Sequence, residues 1–220
     1  APTSVAIADL DGDGDLDLAV ANGFSHDVAV LMNPGDGTFA DRVLYAAGFS
    51  PSSVVIADLN DDGHLDLAVA DSSRNAVSVL LSLGDGTFAD FVRKTVGQQP
   101  RSLTVGDLNS DGVLDLATAN FLGGNVSVFR NRGDGTFADH LLYGVGAGPG
   151  SVVMADLDDD GDIDLAVPNS ENDTISVLLN HGSGTFSDEA RYRTGDAPGS
   201  AAVGDLDGDG DLDLYVANDF

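Results

Sequence analysis

A nine-residue acidic loop recurs five times along this 220-residue chain, beginning at Asp9, Asp58, Asp107, Asp156 and Asp205, always 49 residues apart. A fixed period of about 20–50 residues restricts a chain to solenoids, propellers or arrays, because each unit buries its apolar face only against its neighbours. The period sets four units at about 1–49, 50–98, 99–147 and 148–196, with a partial fifth at 197–220.

Each unit reads as four short strands. The first precedes the loop, as in Ser4 to Ala8 and Ser53 to Ala57, and ends on Ala or Gly, small enough for a crowded inner strand. The second follows the loop at once (Leu18 to Ala21, Leu67 to Ala70), and the third is β-branched and alternating (Val77-Ser78-Val79-Leu80). A Gly-polar-Gly turn follows, Gly35-Asp36-Gly37-Thr38-Phe39 in the first copy, and its phenylalanines Phe39, Phe88, Phe137 and Phe186 are expected to pack between units. A fourth strand and a Gly/Pro-rich link close the unit, and no stretch has helical periodicity. Four-stranded units of about 40–50 residues predict an all-β propeller, or a segment of one, built from antiparallel blades.

The loop itself is built for a hard cation. In Asp9-Leu10-Asp11-Gly12-Asp13-Gly14-Asp15-Leu16-Asp17 the acids occupy positions 1, 3, 5 and 9, Gly14 at position 6 permits the turn, and Asp15 offers its backbone carbonyl from position 7. The second loop uses Asp58, Asn60, Asp62 and Asp66, with His64 at position 7. The third uses Asp107, Asn109, Asp111 and Asp115, with Val113. The fourth has Asp156, Asp158, Asp160 and Asp164, with Asp162, and the fifth Asp205, Asp207, Asp209 and Asp213, with Asp211. Position 7, where only the backbone would ligate, varies freely. About 6–8 oxygen donors suit Ca²⁺, so the expectation is up to five ions, one per loop, with the two Asn-containing loops weaker by one charge.

An EF-hand begins with the same Asp-x-Asp-x-Asp-Gly but needs a bidentate acid at position 12 and flanking helices. Position 12 here is Val20, Val69, Thr118, Val167 or Val216, inside a strand. Paired-carboxylate catalysis would require one pair to escape the metal role, and all five copies look alike as metal loops. Arg132-Gly133-Asp134 falls on the repeat turn, and Asn125 and Asn172 match a glycosylation acceptor pattern that matters only in a eukaryotic secretory host. His26, His64, His140 and His181 share no repeated phase.

The formal charge is −28, and of 37 acids only Glu171 and Glu189 are glutamate, so short Asp side chains dominate as coordination loops require. Such a balance excludes nucleic acid as a partner, since phosphate binding needs clustered Lys and Arg. There are no cysteines, hence neither disulfides nor thiolate metal sites, and no apolar run long enough to span a membrane. Ala1 in place of Met is read as a mature or excerpted chain.

The stretch Ser53-Val54-Val55-Ile56-Ala57-Asp58-Leu59-Asn60-Asp61-Asp62-Gly63, with Leu65-Asp66-Leu67-Ala68-Val69 and the Gly-Asp-Gly-Thr-Phe turn, resembles the FG-GAP family and its VCBS-type relatives. That family also builds the seven-bladed heads of integrin α subunits and some fungal lectins. The resemblance implies a propeller with Ca²⁺ in the loop between the first two strands of each blade, held by the residues named above. Seven such units would exceed this chain. It is therefore read as part of a longer protein or as a protomer whose exposed final strand pairs with a neighbour.

The expected role is an extracellular or cell-surface calcium-binding scaffold for adhesion or assembly, its partners a protein, a glycan or copies of itself through an exposed sheet edge. One alternative is a carbohydrate-binding propeller, for which Phe24, Phe49 and Phe121 are the loop aromatics. Another is the propeller of a polysaccharide lyase or other secreted enzyme, though no catalytic constellation is visible and the basic residues pair locally, as Arg93 with Lys94 and Arg191 with Arg193.

Overall fold

A computed structural model describes residues 1–219. Strands β1 (Pro2–Ala8), β2 (Asp17–Asn22), β3 (Asp27–Leu31) and β4 (Val43–Ala46) form one antiparallel meander in chain order. The second blade repeats it as β5 (Pro51–Ala57), β6 (Asp66–Asp71), β7 (Ala76–Leu80) and β8 (Val92–Thr95). The third comprises β9 (Pro100–Gly106), β10 (Asp115–Asn120), β11 (Asn125–Phe129) and β12 (Leu141–Gly144). The fourth is β13 (Val153–Ala155), β14 (Asp164–Asn169), β15 (Thr174–Leu178) and β16 (Ala190–Arg193), and β17 (Pro198–Gly204) with β18 (Asp213–Asn218) forms a two-stranded fifth sheet. The described residues contain no helix, hence none able to cross a membrane.

The observed strands extend the sequence-based ones by a residue or two, β1 starting at Pro2 rather than Ser4, because the ladder continues past a register shift between Pro2 and Ser4. The same shift recurs between Pro51 and Ser53 and between Pro198 and Ser200. In the fourth blade the strand is shorter than expected: Pro149 keeps an isolated bridge to Asn169, and regular pairing resumes only at Val153.

Blades stack face to face. Strands β6, β10 and β14 are buried at every residue, whereas β2 alternates. The reason is position in the array: β2 and β6 share the run Asp-Leu-Ala-Val-Ala, but β6, β10 and β14 each lie between two blades, whereas β2 is covered on one face only. Leu67 and Val69 pack with Leu10, Val28 and Val30 of the preceding blade, while Ala68 and Ala70 pack with Leu103, Leu116 and Phe137 of the following one. The first strands adjoin one another in succession, β1 to β5 to β9 to β13 to β17. Their seams are closed by hydroxyls: Thr3 Oγ1 donates to the Pro51 carbonyl and Ser52 Oγ to that of Pro100, each at 2.8 Å.

The phenylalanine of the turn follows the same direction. Phe88, Phe137 and Phe186 are buried against the preceding blade, with Phe88 edge-on to Tyr45 and Phe186 edge-on to Tyr143. Phe39 departs from the expectation and stays 44% exposed. It belongs to the first blade, which has no predecessor in the structure to cover it.

Candidate metal centre

Each loop is wound around its position 1 carboxylate. Oδ2 of Asp9, Asp58, Asp107, Asp156 and Asp205 accepts the backbone N–H of the position 6 glycine at 2.8–3.2 Å in all five copies. In four of them Oδ1 also accepts the position 5 N–H, at 3.2 Å. The position 5 carboxylate in turn accepts the N–H of position 7, as Asp13 does from Asp15 and Asp62 from His64, both at 2.9 Å. Gly14, Gly63, Gly112, Gly161 and Gly210 have φ between 84° and 100°, the left-handed region that side chains resist. Position 4 is left-handed too, at Gly12, Asp61, Ser110, Asp159 and Gly208. The sequence reading passed over it, although short polar residues and glycine tolerate that conformation.

These turns draw the carboxylates together. Asp9, Asp11 and Asp13 offer oxygens within 4.8 Å of one another, as do Asp156, Asp158 and Asp164, and Asp205, Asp207 and Asp213. Asp11 and Asp158 are pushed above the usual carboxylate range, by desolvation first and then by the neighbouring charges. The two Asn-containing loops relieve that crowding differently. Asn60 Nδ2 donates to Asp62 Oδ2 at 2.8 Å and Asn109 Nδ2 to Asp111 Oδ2 at 2.9 Å. The His64 N–H and the Asn60 amide accordingly hold Asp62 below its ordinary range. Asn60 Oδ1 is shielded from solvent and has no donor. An orphaned oxygen at position 3 and converging carboxylates are a donor set that fits a hard divalent cation.

Position 9 is a different kind of residue. Asp17, Asp66, Asp115 and Asp164 are fully buried. One oxygen of each accepts the N–H of loop position 2, and the other accepts an N–H just beyond the third strand. For Asp115 these donors are Leu108 N at 3.3 Å and Asn131 N at 2.8 Å. For Asp164 they are Leu157 N at 2.9 Å and Asn180 N at 2.8 Å. The side chain thus pins the loop to its own blade whether or not it also ligates. Burial raises Asp66 and Asp164 and pushes Asp115 up to about 6, against the lowering effect of those hydrogen bonds. In the unfolded chain an aspartate titrates near 3.9, so the folded, metal-free state holds this proton more tightly. Its contribution to stability is present below about pH 4 and is lost as pH rises through 6. The metal-stripped chain should therefore melt at a higher temperature at pH 5 than at pH 7. The calcium-loaded chain should show the opposite slope, since protons compete with the ion. Thermal unfolding at both pH values checks this, and parallel slopes would refute it.

Contacts between blades run through the same loops. Asn131 Nδ2 donates to Leu59 O of the second loop at 2.8 Å and to Leu114 O of its own loop at 2.9 Å. Asn180 Nδ2 does likewise with Leu108 O at 2.8 Å and Ile163 O at 2.9 Å. The sequence reading did not single these residues out. Their trace was a column two residues before each Gly-x-Gly turn, Asn33, Ser82, Asn131 and Asn180.

Fold and loops define a propeller-type repeat protein with an oxygen-rich acidic loop at one end of each blade. The chain belongs to the FG-GAP-like repeat family, whose pattern matches residues 9–69, 58–118, 107–167 and 157–216. No curated protein sequence matches the chain. Among solved structures, the periplasmic gluconolactonase of Pseudomonas aeruginosa superposes with a TM-score of 0.72 at 23% identity, covering 99% of this chain and 63% of that one. A lectin of Agrocybe aegerita that recognises non-reducing terminal N-acetylglucosamine gives 0.62 at 24%, covering 96% and 56%. The Vibrio cholerae biofilm matrix protein Bap1 gives 0.57 at 22%, covering 92% and 30%. The chain thus spans less than two thirds of each, and at these identities the likeness is one of fold.

Proposed function

We propose that this chain is a calcium-stabilised repeat scaffold of an extracellular or surface protein, with one ion per acidic loop. The observation that carries the reading is the convergence of three carboxylates within 4.8 Å in the first, fourth and fifth loops, on a backbone already wound by position 1. Positions 1, 3, 5 and 9 would ligate through side chains, Asn60 and Asn109 through their amide oxygens, and Asp15, His64, Val113, Asp162 and Asp211 through backbone carbonyls. The ion's part is to neutralise carboxylates that otherwise repel, which makes metal binding part of the folding free energy.

A second reading, glycan binding, is favoured by a cluster at the opposite end of the blades. Phe49 is half exposed, with the Arg74 guanidinium 4.0 Å from its ring centroid and the tilted His26 ring at 5.0 Å, and Phe24, in the same loop as His26, is 83% exposed. Exposed aromatic faces are platforms on which sugars stack, and the lectin neighbour supports considering them here. Titration of the metal-stripped chain with Ca²⁺ against a chromophoric chelator should report up to five ions. Absence of binding would sink the first reading. A glycan array, with Phe49→Ala as control, separates the second: it predicts retained glycans that the variant loses.

A further inference from the structure

The geometry points to energetic coupling between calcium loops 2, 3 and 4, carried by Asn131 and Asn180, with loop 1 left outside the coupled set. The inference rests on the calcium reading of the loops. Each of these asparagines is almost fully buried, at 5% and 3% exposure, and each uses one amide nitrogen to hold carbonyls of two successive loops. The carbonyls sit at strategic places. Leu59 and Leu108 are position 2 of their loops, between the ligating positions 1 and 3. Leu114 and Ile163 are position 8, between the backbone ligand at 7 and the carboxylate at 9.

Three further contacts make the link stiff. The backbone N–H of Asn131 and of Asn180 is tied at 2.8 Å to the position 9 carboxylate of its own blade, Asp115 or Asp164. Gly135 N adds a second hydrogen bond to Leu59 O, at 3.1 Å. The turn glycine also lies close against position 3 of the preceding loop: a Cβ at Gly135 would stand 3.5 Å from Asn60 Cβ, and one at Gly184 would stand 3.5 Å from Asn109 Cβ. An ion that orders positions 7 to 9 of loop 3 therefore fixes Asn131, and Asn131 fixes the entry of loop 2. The same path joins loop 4 to loop 3 through Asn180. Two sites that share an ordered element bind with positive cooperativity, because the second ion meets a loop already ordered by the first.

The first seam has the close glycine, a Cβ at Gly86 standing 3.1 Å from Asp11 Cβ, and the backbone tie of Ser82 N to Asp66 Oδ1 at 2.7 Å, but it lacks the amide bridge. Its residue is Ser82, whose hydroxyl accepts from Gly84 N at 3.2 Å, inside its own turn. Asn33 reaches only Leu16 O of its own loop, at 3.2 Å. Ser82 also shows that serine is accommodated at this position, so Asn131→Ser and Asn180→Ser are variants that should fold.

The test is calcium titration of the full metal-stripped chain, wild type beside the double variant Asn131→Ser/Asn180→Ser, with hydrogen exchange at Gly63, Gly112 and Gly161 during partial loading. In the wild type these three amides should gain protection together, with a Hill coefficient above 1. In the double variant they should gain it separately, the Hill coefficient should fall to about 1, and the calcium needed for half-loading should rise about three- to tenfold. Ser82→Asn should bring Gly14 into the concerted set. Calcium binding with the same slope and the same concerted protection in the double variant overturns the coupling alone. A wild-type chain that binds no calcium overturns the coupling together with the calcium reading. A merely structural asparagine would lower the melting temperature of the metal-free chain and leave the steepness of loading untouched.

Discussion

Stripping calcium should lower the melting temperature of the chain by at least about 20 °C, the largest single effect expected of any change to this molecule. An ion that binds only the folded state and is present at about a hundred times its dissociation constant adds roughly 2.7 kcal/mol. Several filled loops together therefore rival the whole stability of an ordinary domain, about 5–15 kcal/mol. For a chain near this size each kcal/mol moves the midpoint by about 2–4 °C. The direction follows from the loops themselves, where three carboxylates meet within 4.8 Å and their charges repel. Calorimetry with excess Ca²⁺ and with excess chelator, with mass followed by light scattering, reads the effect. An unchanged midpoint would remove calcium from the account and leave an array held by its buried aspartates and stacked sheets.

Asp115→Ala should destabilise the chain with and without calcium, by about 2–5 kcal/mol, because it leaves two buried N–H groups, Leu108 and Asn131, without an acceptor. Asp111→Ala in the same loop should behave otherwise. Its hydrogen bonds from Val113 N and Asn109 Nδ2 are exposed, so in chelator the loss is within about 0.5 kcal/mol. In excess calcium it should cost about as much as the ion that loop no longer holds, roughly 2–3 kcal/mol. Denaturant unfolding of both variants under both conditions gives four numbers. If Asp115→Ala were also silent in chelator, position 9 would be a ligand and nothing more.

That contrast marks where the sequence stopped being legible. The period, the strand alternation and the acidic spacing announce an all-β repeat array with oxygen-rich loops, because each is a local pattern repeated in phase. Nothing local distinguishes Asp115 from Asp111. Both are aspartates at odd positions of one loop, and only the packing of the third strand against the loop buries the first and leaves the second in water. Asn131 was equally opaque: its partner Leu59 lies 72 residues away. Phe39 and Phe137 occupy the same place in the repeat, yet one is exposed and the other buried. Their difference belongs to the order of the blades rather than to any residue near them. In every blade but the fourth the expected first strand was short by two residues, because a register shift hides behind proline, which looks like a strand breaker and here begins the strand.

The one-way packing of the turn phenylalanines has a consequence for how the protein is made. Phe88 rests on residues already synthesised, and so do Phe137 and Phe186. A chain leaving the ribosome amino end first presents each new phenylalanine to a seat that is already complete, and no blade has to wait with its own plug exposed for one still untranslated. Folding can then keep pace with translation, one unit behind the exit tunnel. Were the packing reversed, every nascent unit would carry its phenylalanine exposed until its successor arrived.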